Sequence, residues 1–225
     1  MNVNSLSAMN DSLASLQLTT PMELFLTITA LSFLPLLFVA LTTFTRNIVV
    51  LSFLRQGLGL QQSPPNIVLI SLAFFITLFS MSPVLEKSYS EGVKPYLDKK
   101  ATIDVGAEKA WLPMREFLLR QTGEKELELV YDLAKQALPK VTEQVKASYL
   151  IPAFMLSELK LAFQMGFVIL LPFLMVDLVV SAMLMSLGMI MVPPATISLP
   201  MKILLFIAVD GWGLIAKVLV SSVSV

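Results

Sequence analysis

Four apolar runs dominate the chain, over residues 24–41, 67–85, 150–192 and 197–220, and one polar interval separates the second from the third. The run at 67–85 carries no charge and has about the length that crosses a bilayer core of roughly 30 Å as a helix. The first run contains Pro35, the third is interrupted only by Glu158, Lys160 and Asp177, and the fourth by Lys202, Asp210 and Lys217. In the polar interval, Leu127, Val130, Tyr131, Ala134 and Leu138 recur on one helical face, with Glu124, Glu128, Asp132 and Lys135 on the other. That spacing predicts an amphipathic helix ended by Pro139. A preceding helix is expected over 108–121, with Trp111, Leu112, Leu118 and Leu119 supplying apolar surface and Gly123 its stop. The fold class that follows is all-α: apolar helical hairpins at 21–85 and 149–225 flank a polar helical domain at 86–148, after a polar tail at 1–20.

An internal repeat supports two equivalent hairpins. Leu58-Gly59, four residues, then Pro64-Pro65 matches Leu187-Gly188, four residues, then Pro193-Pro194, and each copy lies between two apolar runs. Glycine relaxes backbone sterics, while paired prolines remove amide donors and force an extended approach. Gly59, Pro64, Pro65, Gly188, Pro193 and Pro194 therefore mark broken hairpin tips and candidate hinges. An even number of crossings separates the copies, so they are same-sense repeats, unlike the inverted repeats common in secondary transporters.

Composition narrows the class. Of 225 residues 56% are hydrophobic and 14% charged, and the mean hydropathy is +0.79, which fits a membrane protein rather than a soluble domain. The charges balance at 16 basic and 16 acidic, and 22 of the 32 fall between Glu86 and Lys146, so the polar interval faces a different solvent from the rest. Neutrality gives no electrostatic reason to expect nucleic acid as a partner. Without Cys or His the chain lacks disulfides, thiolate nucleophiles and the commonest metal ligand and general base; no metal and no cofactor are expected. Arg46 and Arg55 lie between the first two runs with no acidic residue nearby. The positive-inside rule makes that stretch a cytoplasmic loop and puts the polar domain and both termini on the periplasmic side. The tail at 1–20 lacks the basic and apolar regions of a secretory signal. Either the chain is a processed form, which a periplasmic N-terminus favours, or the tail is translocated without a signal.

Ionisable groups within apolar runs need partners, because an uncompensated charge at membrane depth costs about 2.5 kcal/mol or more. The simplest solution pairs Glu158 with Lys202, within one chain or between copies, and leaves Asp177 and Asp210 as buried charges. A different reading makes Asp177 and Asp210 the proton-sharing dyad of an intramembrane protease; a third, a small-solute permease, would need polar groups converging at mid-depth. Methionine adds a signal: Met183, Met185, Met189 and Met191 cluster before Pro193. Unbranched, deformable thioethers suit a seal around an irregular surface.

Longer stretches carry a resemblance. Phe44-Thr45-Arg46 with residues 50–59 (VLSFLRQGLG) and Pro64-Pro65-Asn66 resembles the first hairpin of the FliP family of flagellar type III export-gate proteins. Residues 152–167 (PAFMLSEL, then AFQMGF) and 172–179 (PFLMVDLV) resemble its two signatures, and 188–212, from Gly188 through PPATISLP to VDGW, is similar to its C-terminal hairpin. With Arg115-Glu116-Phe117 and Gln121-Thr122, the resemblance covers about residues 23 to 220. The flagellar branch fits better than the related SctR family of virulence injectisomes, notably around Arg46 and Pro193-Pro194.

The resemblance implies a non-enzymatic subunit of an inner-membrane export gate in the flagellar basal body. Such a subunit forms a homo-oligomer, a pentamer in the family, joined by two smaller membrane components (FliQ-like and FliR-like) and a FlhB-like switch protein, and it passes unfolded flagellar subunits. It implies tilted, broken helices in a conical ring raised largely out of the bilayer plane, and a pore gasket at Met189, Ile190 and Met191. Ile190 departs from the methionine usual in the family at that position and is stiffer at χ1. Glu158 and Lys202 match charged family positions.

Overall fold

The computed structural model describes residues 21–139 and 141–223; the tail at 1–20, and with it the expectation of processing, lies outside them. The chain divides into two compact units, one ending at Phe38 and the other beginning at Val39. Helix α1 (Pro21–Leu41) supplies the described part of the first unit and the opening residues of the second, and it keeps Pro35 inside.

The second unit continues with α2 (Phe44–Gly57) and α3 (Asn66–Ser88), the latter prolonged by a π turn (Tyr89–Val93) and α4 (Lys94–Leu97). The polar interval forms α5 (Ile103–Gln121), α6 (Glu124–Leu133) and a 3₁₀ turn (Thr142–Gln144). Helix α7 (Ala147–Ser186) then leads to α8 (Ala195–Ala208) and α9 (Gly211–Ser221). Among the described residues there is no strand.

Residues 44–57 are not a loop. Arg46, Asn47, Val50, Leu51, Leu54 and Gly57 form one buried stripe of α2 at helical spacing. Hydropathy misses the stripe because an arginine and an asparagine stand in it. Arg46 is thereby withdrawn from any solvent-facing loop, and the orientation inferred from it loses one of its two basic residues.

The fourth apolar run is two helices bent by 63°. Asp210 makes the corner with φ +50, a left-handed conformation that Asp tolerates. The bend is packed shut by Phe206, which lies edge-on to Trp212 at 5.3 Å between ring centroids; a Cβ on Gly211 would stand 2.1 Å from the Phe206 ring.

The third run continues unbroken as the 40 residues of α7, about 60 Å at 1.5 Å per residue and twice the thickness of a bilayer core. Among the described residues, only α7 and the 32-residue run Asn66–Leu97 are each long and apolar enough to cross alone. Prolines inside helices survive where another donor replaces the lost amide. Pro83 cannot bond to Phe79, and the Ser82 hydroxyl donates to that carbonyl instead at 2.9 Å.

In the polar interval α5 begins earlier than expected, at Ile103, and Thr122 ends it. Gly123 starts α6 rather than stopping α5. Helix α6 stops at Leu133, before Pro139, because Lys135 adopts φ +54 and closes a Schellman turn, with Lys135 N–H to Asp132 O at 2.9 Å and Gln136 N–H to Tyr131 O at 3.0 Å. Leu138 falls outside the helix and is exposed.

Two registers organise the packing. Arg46 meets Glu158, Phe53 packs on Gly166, and Gly57 on Phe173. The sequence offset stays nearly constant along these pairs, so α2 and α7 run parallel, as same-sense repeats require. By contrast Phe173 faces Phe206 at 6.5 Å and Asp177 meets Lys202. Both pairs are centred between residues 189 and 190, so α7 and α8 form an antiparallel hairpin whose apex is Met189–Ile190.

One apolar cluster joins Leu51, Leu54 and Leu58 of the first hairpin to Phe173, Phe206 and Leu219 of the second. Another joins Met81 and Val84 of α3, Phe117 and Leu118 of α5, Tyr131 of α6, and Leu150 and Phe154 of α7. The apolar side of the polar interval is thus packed onto the apolar helices; the charge boundary near residue 86 is not a packing boundary.

The α2–α7 interface makes a direct test. A Cβ at Gly166 would stand 2.3 Å from the Phe53 ring, so Gly166→Ala is expected to cost about 1–3 kcal/mol through overpacking. Thermal unfolding in detergent should show the loss, and Phe53→Leu in the same chain should recover most of it.

Candidate functional site

The centre of the second unit is one guanidinium. Arg46 is fully buried, and a lone buried cation would cost several kcal/mol, so its five N–H donors need five acceptors. They have them. Nε donates to Glu158 Oε2 at 2.9 Å and Nη2 donates to Glu158 Oε1, a bidentate charged pair. Nη2 also donates to Gln121 Oε1 at 2.9 Å. Nη1 donates to the carbonyl and the hydroxyl of Ser222, each at 2.9 Å. One side chain thus ties α2 to α7, to the end of α5 and to the turn that follows α9.

Other bonds extend this junction along α7. Gly123 N–H donates to Ser157 Oγ at 2.9 Å, and Lys160 Nζ donates to Glu126 Oε1 at 2.7 Å. The Lys160 hydrogen bond holds the Glu126 carboxyl below the usual carboxylate range. The start of α6 is therefore stapled to the same two turns of α7 that bind Arg46.

The expected Glu158–Lys202 pair is replaced, within the chain, by two others. Glu158 belongs to Arg46, and Lys202 Nζ donates to Asp177 Oδ2 at 2.6 Å. The α7–α8 register explains this, since Lys202 falls opposite Asp177 and nineteen residues of α7 separate Asp177 from Glu158. Within the chain neither expected buried charge is buried. The Asp177 side chain keeps 40% of its exposure beside a Lys202 that keeps 8%, and Asp210 is exposed at the α8–α9 corner. Asp177 is bonded to an ammonium rather than to a second carboxylate, an arrangement unlike a proton-sharing dyad.

The two repeat tips open with the same backbone cap. After α2, Gly59 takes φ +77, with Gly59 N–H to Gln56 O at 2.9 Å and Leu60 N–H to Arg55 O at 3.2 Å. After α7, Gly188 takes φ +74, with Gly188 N–H to Met185 O at 3.1 Å and Met189 N–H to Leu184 O at 2.9 Å. These are matching Schellman caps, in which the left-handed residue is normally glycine. Pro65 and Pro194 then immediately precede α3 and α8, with Ser63–Pro64 cis in the first tip.

Past Gly188 the second tip is bare: within the chain Met189 retains 42% exposure, Ile190 85% and Met191 97%. Residues 187–194 include no polar side chain. Helix α7 runs about 20 Å beyond its contact with Gly57 before the tip is reached. An apolar apex of this kind is stable in water only when something covers it.

The sequence pointed to the tips and to the need for charge partners, and it misassigned the partners. Arg46, Gln121 and Ser222 were missed as a junction. The available signal was an arginine on an apolar stripe of helical period, a position that requires a distant carboxylate.

Arg46→Ala leaves the Glu158 carboxylate buried without its partner and is expected to cost about 3–5 kcal/mol. Arg46→Lys should rescue little, because three donors cannot serve five acceptors. Membrane-inserted yield and unfolding temperature check both. For the second pair, Lys202→Asp should lower membrane-inserted yield and Asp177→Lys in the same chain should restore it, whereas joint reversal of Glu158 and Lys202 should not.

Comparison with known proteins fits this geometry. The FliP family profile matches residues 27–219. A flagellar biosynthetic protein FliP of Pectobacterium carotovorum subsp. carotovorum is 48% identical over 204 residues, covering 91% of this chain and 79% of that protein. One of Caulobacter vibrioides is 47% identical over 86% of this chain and 73% of its own length. One of Bacillus subtilis is 45% identical over 91% of this chain and 92% of its own length. With matches of this extent and apolar helices long enough to cross a bilayer, the chain belongs to the FliP family and is a membrane-embedded flagellar protein.

Proposed function

We propose that the chain is a core subunit of the flagellar export gate, in which the tip at Met189, Ile190 and Met191 is the seal. A component of the flagellar export apparatus must let unfolded chains through the inner membrane and hold back ions when idle. The observation that carries the reading is the second tip: a wholly apolar apex at the end of a long antiparallel hairpin, left uncovered by its own chain. Sister copies arranged around an axis would cover it, each apex against the next, and five copies follow the family. FliQ-like and FliR-like components and a FlhB-like switch protein are the proposed partners, with unfolded flagellar proteins as cargo. The polar interval and both termini are assigned to the periplasmic side.

The chain's part is passive and non-enzymatic. Four of its ionisable groups at membrane depth are engaged in structural pairs, Arg46 with Glu158 and Lys202 with Asp177. Closure would come from deformable thioethers meeting at the axis, and opening from displacement of the tips at Gly188 and Pro193-Pro194. Ile190, more rigid than a methionine, would hold the middle of the seal while Met189 and Met191 adapt around it.

Replacing Met189 and Met191 with Ala in cells is expected to make the inner membrane leaky to ions while the particle still assembles. Membrane conductance and swimming, measured together, check this; unchanged conductance and unchanged motility would remove the sealing role.

A further inference from the structure

The two tips share their glycine caps and differ in how they are braced. In the first, Arg55 reaches across the turn: Nη1 donates to Asn66 Oδ1 at 2.6 Å and to the Pro64 carbonyl at 3.3 Å. These bonds tie the last turn of α2 to the first residue of α3. In the second tip the residue aligned with Arg55 is Leu184, which is buried, and residues 187–194 offer no side-chain donor or acceptor. One tip is clamped across its turn by a charged side chain; the other has its Schellman cap and a Thr196 hydroxyl that donates to the Pro193 carbonyl at 2.8 Å.

The clamped tip lies beside the arm of the unclamped one. Leu199 Cδ1 lies 3.8 Å from where a Cβ of Gly59 would stand, and Leu199 sits in the second turn of α8, between the apex and the Lys202–Asp177 bond. Helix α8 is thus bonded to α7 at Lys202, and on the near side of the apex the first tip stands next to it at Leu199. A shift of the first tip would pass through Leu199 to the apex, because interfaces between packed elements switch rather than yield continuously.

We infer that Arg55 is a positioning residue for the seal: by clamping the first tip it fixes the stop against which α8 rests when Met189, Ile190 and Met191 are closed. This rests on the gate reading above and adds a residue that touches neither cargo nor the apex. The clamp also explains the Asn66 of the first tip, at a position where the second has Ala195.

The test uses cells making the full chain with its own partners, and compares ion conductance of the inner membrane with the mass of the extracted particle. Arg55→Ala and Asn66→Ala are each expected to raise idle conductance about fivefold at unchanged particle mass, the shift that loss of one hydrogen bond makes in a two-state equilibrium, and Leu199→Ala, which trims the apolar stop, is expected to raise it as well. Arg55→Lys, which keeps the charge and three donors but loses the planar fork that reaches across the turn, should fall between. Because all three act through one contact, Arg55→Ala with Leu199→Ala should leak no more than the worse single variant. A merely structural role would lower particle yield and give additive losses.

If Arg55→Ala yields no particle, Asn66→Ala, at an exposed position, decides the matter. Met189→Ala with Met191→Ala is the control. Leak in that control with wild-type tightness in Asn66→Ala, or additive leak in the Arg55→Ala/Leu199→Ala pair, overturns this inference alone; a silent control removes the gate reading and this inference together.

Discussion

A buried guanidinium with five acceptors is the constraint from which the rest of the second unit follows. Arg46 cannot be desolvated alone, and its acceptors come from Glu158, Gln121 and Ser222, which stand 112, 75 and 176 residues away. Satisfying it fixes α2 beside α7 in parallel and brings the end of α5 and the turn after α9 to the same point. Once α2 and α7 are aligned there, Phe53 falls on Gly166 and Phe173 on Gly57. The antiparallel α7–α8 register then sets the apex at residues 189 and 190, well past the first tip. The cost of an unpaired ion thus determines where an uncharged tip is displayed.

The second constraint is that this chain does not cover its own apolar surface. In the most apolar window of α7 only 17% is buried within the chain, and Phe75 and Phe79 of α3 and Phe163 and Phe167 of α7 are exposed. Soluble monomers do not tolerate contiguous patches of this size. Lipid can cover part of it. Helix α7, though, is about twice as long as a bilayer core is thick, so much of its apolar length needs either a strong tilt or protein neighbours. The proposed ring of sister copies would account for both the uncovered flanks and the uncovered apex.

How far the sequence reveals this architecture depends on whether the controlling interaction is local. The amphipathic stripe of α6 and the two Leu-Gly tips were legible, because helical period and a left-handed glycine leave marks within a few residues. Helix α2 was not, since its buried stripe contains Arg46 and Asn47, and hydropathy scores such residues by their usual solvent rather than their actual partner. The same blindness produced the Glu158–Lys202 pairing: charges in apolar runs announce that they need partners, but only the α7–α8 register says which. The corner at Asp210 was hidden for a related reason, as it depends on Phe206 folding over Gly211 and not on a proline. The clamp at Arg55 was legible only as a charge difference between repeats, and distances were needed to give it a role.

The account holds that the second tips of several copies meet around one axis. The absence of cysteine from the chain permits a direct measurement: Ile190→Cys, introduced as the sole thiol, followed by mild oxidation in native membranes. The account predicts efficient disulfide-linked dimers of this chain, suppressed when export cargo is trapped in the channel. No cross-linking, together with a thiol that reacts with lipid-soluble but not with water-soluble maleimide, would place the tip in the bilayer and contradict it.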